Sequence, residues 1–281
     1  MAGIAIVTDT SSDLTPEQAE AARVRLVPLT VSFGDETFDA VTELSNEDFY
    51  ARLTAPGAPL PRTAAPNPAR FESAYREALD AGAEGVVCVT ISQRLSATYA
   101  SAVQGATAFE PGLVQVIDST TVTQPLGLIV RRAAELARTG AEMAEVVDRV
   151  VDLAGRTDIF FAVHTLEYLQ RGGRIGRATA LLGTMLSIKP ILTLDGGEVA
   201  PLDRRRTSSK ARERIIELAV DRSLDAVAVV HSEAADLDTF VTQLARAAHV
   251  PEDRIEVGLC GPVAGTHAGP GLIGVTRIAT A

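Results

Sequence analysis

The chain has no tryptophan and only four tyrosines, and its acidic residues outnumber its basic ones 36 to 26, for a net charge of −10. A general nucleic-acid groove combines basic surface with interleaved stacking aromatics, so no nucleic-acid partner is expected. Cysteine is nearly missing too. Cys88 falls in an apolar strand and Cys260 stands before a glycine-rich segment, with neither metal-ligand spacing nor a disulfide framework. Both read as packing residues, which suits a cytoplasmic location. No apolar run approaches the roughly 20 residues that cross a bilayer, although transient membrane contact stays open. The opening MAGIAIVTDTSSD lacks a basic leader region and reads as a buried first strand. Also missing are the phosphate loop G-x-x-x-x-G-K-[ST], the nucleophile elbow G-x-S-x-G and the zinc helix H-E-x-x-H. Chemistry at this chain therefore calls for a partner.

What is present is a globular pattern. Hydrophobic residues make up 46% of 281, long for one core and comfortable for two domains. Apolar runs of strand length alternate with helical patterns, which points to α/β layers. Strands are expected at Ile4–Thr8, Leu26–Phe33, Gly85–Ile91, Leu113–Ile117, Ile159–Val163, Ile191–Leu194, Ala226–Val230, Ile255–Val257 and Leu272–Ile278. Ser45 with Asp48 resembles a capping box, Asn67-Pro68 is a cap followed by a first-turn proline, and Met143, Val146, Val147, Val150 and Val151 trace one apolar face. A helix end and a new strand meet at Gly155–Asp158, which divides the chain into an N-terminal α/β domain, 1–156, and a C-terminal α/β domain, 157–281.

Two segments and a set of hydroxyls carry the functional signal. In HTLEYLQRGGRIGRATALLGTMLSIKPIL, Arg171, Arg174 and Arg177 surround Gly172, Gly173 and Gly176. Leu181, Leu182, Met185, Leu186 and Ile188 come next at helical spacing. This is either a helix packed on its own core with an arginine loop outside, or an anion-handling turn beside an apolar ligand wall. GPVAGTHAGPG, residues 261–271, reads as an irregular loop between two strands, with His267 as the candidate histidine. His164, His231 and His249 are weaker candidates. Hydroxyls gather where N-terminal strands end: Thr10, Ser11 and Ser12, then Thr63, Ser92, Ser96, Ser119 and Thr120. Any of them also suits a helix cap, Ser92 above all. Asp9, Asp13 and Asp118 suggest caps and turn formers more than a magnesium cluster, so no metal is expected.

In order along Ile4 to Val275, the segments IVTDTSSDLT, VPLTVSF, TAAPNPARF, SQRLSATYASA, VIDS, LEYLQRGGRI with LLGTMLSIKPIL, and GTHAGPG resemble the DegV family. The resemblance implies two α/β domains with a lipid site between them. It further implies the fatty-acid-binding subunit of a bacterial fatty acid kinase, in phospholipid metabolism: a chain that holds a long-chain fatty acid, without a cofactor, while a separate ATP-dependent kinase phosphorylates the carboxylate. On that likeness Thr63 and Ser96 hold the carboxylate, with Ser92, His267 and the turn Ser96-Ala97-Thr98 assisting. Alanine stands at Ala64 where the family pattern has serine, and at Ala97 where it has glycine, and the latter bears on access to the turn's amides.

Magnitudes divide the work of such a site. At about 0.8 kcal/mol per buried methylene, a long tail contributes on the order of 10 kcal/mol before ordering costs, against about 1.5–3 for each charge-assisted hydrogen bond to the carboxylate. Leu181, Leu182, Met185 and Leu186 are expected to line the tail pocket, and Arg174, Arg206 and His267 to stand at the kinase-facing end. For Arg206, in LDRRRTSSKA, a solvated charge run is the alternative. A stand-alone acyl hydrolase or transferase, with Ser96 or Ser92 as nucleophile and His267 as base, is the rival function, and a lipid-sensing regulator a third.

Overall fold

The computed structural model describes residues 3–183 and 188–281. Its first half runs β1 (Ile4–Asp9), α1 (Pro16–Ala22), β2 (Val24–Val27), β3 (Thr30–Phe33), β4 (Glu36–Asp39), α2 (Asn46–Thr54), β5 (Arg62–Ala64), α3 (Pro68–Asp80), β6 (Gly85–Thr90), α4 (Thr98–Ala106), β7 (Val114–Asp118), α5 (Gln124–Ala137) and α6 (Met143–Arg156). The second half runs β8 (Thr157–Ala162), α7 (Glu167–Arg171), a 3-10 turn at Gly176–Leu181, β9 (Lys189–Asp195), β10 (Glu198–Arg205), α8 (Ser208–Ala219), β11 (Leu224–His231), α9 (Leu237–Ala248), β12 (Glu256–Leu259), α10 (Pro262–Ala268) and β13 (Ile273–Ala279). The α/β class expected from the alternation holds.

Three sheets result. A parallel sheet has the order β2-β1-β6-β7, a six-stranded sheet the order β10-β9-β8-β13-β11-β12, and a small antiparallel sheet the order β4-β3-β5. In the six-stranded sheet only β11 and β12 pair in parallel. Helix α5 buries residues along its whole length and touches β1, β2 and β6 on one side and β8, β11 and β13 on the other, so it joins the two large sheets through one core. The two-residue alternation of the β8 strand divides the interior further. Phe160 and Ala162 pack with α8 and α9, whereas Ile159 and Phe161 point to the opposite face, toward a cavity.

Local signals account for most elements. Ser45 caps α2 by accepting from Asp48 N–H at 3.1 Å, and Asn67 caps α3 by accepting from Arg70 N–H at 3.1 Å, with Pro68 in the first turn. The α6 stripe is narrower than its spacing suggests: Val146 and Val150 are buried, but Val151 is 56% exposed. The run Leu26–Phe33 is two strands, since Pro28 has no N–H for a ladder and Leu29 N–H donates instead to Thr10 Oγ1 at 3.0 Å. Strands β4 and β5 are short and carry exposed residues, so no apolar run marks them. The segment 261–271 is mainly helix, not irregular loop. Pro262 starts α10, and Gly265 lets it lie against α2, where a methyl group would come within 2.7 Å of the Phe49 ring.

Candidate functional site

A narrow, mainly apolar cavity lies where the C-terminal ends of the parallel strands meet one face of the six-stranded sheet. It holds about 750 Å³ of empty space including its open mouth. Ile159, Phe161, Leu194, Val199 and Val230 form the sheet wall, while Ile91, Leu95 and Val122 come from the segments after β6 and β7. Cys260 also lines it, and burial pushes its thiol pKa well up, which leaves a packing group rather than a nucleophile.

The polar lining consists of Thr63, Ser96, Thr123, Arg174 and His267. Thr63 Oγ1 lies 2.9 Å from His267 Nε2, which joins β5 to α10 across 204 positions of sequence. Burial, with a smaller contribution from the Arg174 charge, pulls the His267 pKa down to about 4. The imidazole is therefore neutral at pH 7. Its Nδ1 is buried without a partner among the described residues, so the proton is assigned to Nε2, which donates to Thr63 Oγ1 and leaves the threonine hydroxyl hydrogen free for an acceptor in the cavity. Gly172 makes room for this histidine: a methyl group there would stand 2.1 Å from His267 Nδ1.

Arg174 supplies the positive charge. Its Nε donates to the Leu95 carbonyl at 3.0 Å and its Nη1 to the Gly172 carbonyl at 2.7 Å, which fixes the guanidinium plane beside the pair. The other arginines of the turn are committed elsewhere, Arg171 to Glu167 at 2.6 Å and Arg177 to Asp195. Arg206 is exposed beyond β10, away from the cavity lining, and makes no ion pair among the described residues. The expected trio is thus divided, with Arg174 and His267 together and Arg206 outside.

The hydroxyl set divides as well. Ser96 lines the cavity, and its Oγ lies 2.8 Å from Thr98 Oγ1. Thr98 is buried behind it, with its amide donating to Ser96 Oγ at 3.3 Å, and Ala97 is exposed outside the lining. Ser92 departs from the expected role. It is fully buried, its Oγ donates to the Gly197 carbonyl at 2.7 Å, and that bond ties the end of the parallel sheet to the β9–β10 turn. The wall residues differ too. Leu181 packs beneath the cavity, and Leu182, just past the 3-10 turn, is 36% exposed. Met185 and Leu186 lie outside the described residues. The sheet residues that do line the cavity were legible only as strand alternation, and Thr123 carried no separate signal.

Among the described residues no cluster suits a metal ion. Asp9 accepts from Ser11 N–H at 3.0 Å and Ile91 N–H at 2.9 Å, and Asp118 accepts from Thr120 N–H at 2.9 Å, as turn formers do. Asp13 is different. Burial pushes its carboxyl pKa up to about 8, and the nearby Gly261 amide tempers the rise without aligning for a hydrogen bond.

The DegV family, described as one of uncharacterised proteins, matches residues 3–280. The chain belongs to the DegV family. A DegV domain-containing protein of Streptomyces coelicolor is 38% identical over 275 residues, covering 97% of each chain. In three dimensions the chain resembles a fatty-acid-binding DegV family protein from Thermus thermophilus, with a TM-score of 0.89 and 34% identity over 99% of this chain and 100% of that one. DegV of Bacillus subtilis, described as a fatty acid binding protein, superposes with a TM-score of 0.86 at 27% identity, covering 99% of both chains. Among the described residues no helix is long and apolar enough to cross a membrane.

Proposed function

We propose that this DegV protein binds a long-chain fatty acid, tail in the apolar cavity and carboxylate at Thr63, Ser96, Arg174 and His267, and presents that carboxylate to a separate ATP-dependent kinase. The observation that carries the reading is the union of a mainly apolar cavity with one hydrogen-bonded Thr63–His267 pair and one fixed guanidinium on its lining. Fatty-acid-binding relatives from Thermus thermophilus and Bacillus subtilis support the binding step. The two halves, 1–156 and 157–281, act as the two domains that border the ligand.

The charges dictate the chemistry of presentation. A carboxylate at neutral pH is already a nucleophile and needs no base, which fits a neutral His267 that donates rather than accepts. Arg174 offsets the carboxylate charge and, at the mouth, that of an incoming phosphoryl group, with a planar fork that lysine lacks. Arg206 is exposed beyond β10, and its role in this reading is to steer the kinase by charge rather than to touch the ligand. A serine-hydrolase role is disfavoured, because His267 Nε2 faces Thr63 and Ser92 donates to a main-chain carbonyl.

Mass spectrometry of lipid extracted from the purified protein tests the binding step. The expected result is a fatty acid near one equivalent; a folded, delipidated protein that takes up no palmitate by calorimetry would overturn it. Reconstitution with a fatty acid kinase and ATP tests presentation, with acyl phosphate expected from the wild type and lost in Arg174→Ala.

A further inference from the structure

Ser92 has no task in the binding reading, yet it stands between the apolar wall and the residues that meet the carboxylate. On one side it touches the tip of the β9–β10 hairpin. Its Oγ donates to the Gly197 carbonyl at 2.7 Å, and a methyl group on Gly197 would come within 2.3 Å of that Oγ and 3.5 Å of Thr120 Cα. Contact this close leaves no slack, so the tip and Ser92 shift together. Just inside the tip Val199 pairs with Leu194, and both line the cavity. Strand β9 pairs with β8 at Thr193 and Leu192, one residue short of Leu194. The Leu194–Val199 pair thus lies beyond that ladder and is tied to the parallel sheet through Ser92. The other tie at the tip, Arg177 to Asp195, joins two exposed side chains and is worth little in water.

On the other side Ser92 opens the turn that carries the polar groups. Its carbonyl accepts from Leu95 N–H at 2.9 Å and from Ser96 N–H at 3.1 Å, and its Oγ accepts from Arg94 N–H at 3.1 Å. The Leu95 carbonyl in turn holds Arg174 Nε at 3.0 Å. One buried serine therefore connects the wall at Leu194 and Val199 to both Ser96 and Arg174.

We infer that Ser92 is a positioning residue that makes the aim of the carboxylate depend on how fully the acyl tail occupies the wall at Leu194 and Val199. The inference rests on the fatty-acid reading and deepens it into chain selectivity at the presentation step. A long tail fills the space against the hairpin and holds its tip in place. A short tail leaves that wall free to relax inward, and Gly197 carries the shift through Ser92 to the Ser96 turn and the Leu95 carbonyl. A close-packed interior transmits such a shift rather than absorbing it. Selection then acts on placement of the carboxylate, beyond the affinity that each methylene adds.

The test is carbon-13 NMR of carboxyl-labelled palmitate and laurate, each bound at saturating concentration to the delipidated protein. A carboxylate aimed at Arg174 and Ser96 is favoured in its charged form, so its acid dissociation constant reports its placement. In the wild type that constant should be larger for bound palmitate than for bound laurate by about fivefold or more, the lower end of ordinary coupling between sites. In Ser92→Ala the ratio should fall to about one while palmitate stays bound, because the link and not the pocket has been removed. Ser92→Cys, whose thiol donates only weakly, should lower the ratio as well and decides the matter where the alanine variant does not fold. Equal constants for the two acids in the wild type overturn the inference without touching the fatty-acid reading. A ratio that survives in folded Ser92→Ala also overturns it, since water entering beside the shorter tail would then be the cause. Failure of the wild type to bind palmitate removes the fatty-acid reading and this inference together.

Discussion

The two large sheets build the cavity in opposite ways. The parallel sheet contributes the segments at its strand ends, Ile91, Leu95 and Ser96 after β6 and Val122 and Thr123 after β7. The six-stranded sheet contributes a face, with Ile159, Phe161 and Val230 alternating against residues that pack under α8 and α9. Strand ends in a parallel sheet release unpaired backbone and turn residues, which suits polar recognition. A sheet face offers only side chains at fixed spacing, which suits an apolar wall. Affinity should therefore reside mainly on the face, and placement of the carboxylate on Ser96 at a strand end together with Thr63 of β5, Arg174 after α7 and His267 of α10.

The largest effect that sharpens this contrast is expected on the face. Phe161→Ala removes a side chain that is 6% exposed. It should lower folding stability by about 3–5 kcal/mol and weaken fatty-acid affinity, with denaturant titration and calorimetry as the readouts. A variant that loses stability but keeps full affinity would move the tail away from this wall.

A loop substitution of similar size should act differently. In Gly172→Ala the new methyl would meet His267 Nδ1, so the imidazole must shift from Thr63. Stability is expected to fall by about 1–3 kcal/mol. Kinase turnover of the bound acid should fall more than tenfold while palmitate binding changes only a fewfold. Equal losses in both would break the division between face and loop.

The smallest effect is a change of slope with pH. His267 has a folded pKa near 4, below its ordinary 6.5, so between those values the unfolded chain holds a proton that the folded one refuses. Stability from keeping this histidine neutral is present above about pH 6.5 and declines as pH falls toward 4. The decline should be on the order of 1–3 kcal/mol. His267→Asn should flatten the melting temperature against pH in that window. An unchanged slope would mean the imidazole is better hydrated than its burial implies.

Much of this architecture was legible in the sequence because period and cap chemistry are local. The apolar runs became β1, β6, β8 and β13, and Ser45 and Asn67 start the helices they announced. What escaped depends on contacts distant in sequence. The hydroxyl of Ser92 looked like that of Ser96, yet its partner is the Gly197 carbonyl, 105 positions away. Arg206 looked like Arg174, yet only Arg174 has the Leu95 and Gly172 carbonyls to hold it at the cavity. The glycines around His267 suggested a loop because glycine disfavours helix, but in α10 Gly265 is required by the Phe49 ring.

The central claim, tail on the sheet face and carboxylate at Thr63, Ser96, Arg174 and His267, is tested most directly by carbon-13 NMR of palmitate labelled at its carboxyl carbon. Bound to the wild type, the label should give one slowly exchanging resonance that stays ionised well below the pH at which free acid protonates, because Arg174 and the Thr63 hydroxyl favour the charged form. In Thr63→Val with Ser96→Ala the resonance should move and titrate nearer the free value while palmitate remains bound. A bound carboxyl that titrates as in water, and does so identically in wild type and double variant, would contradict the account.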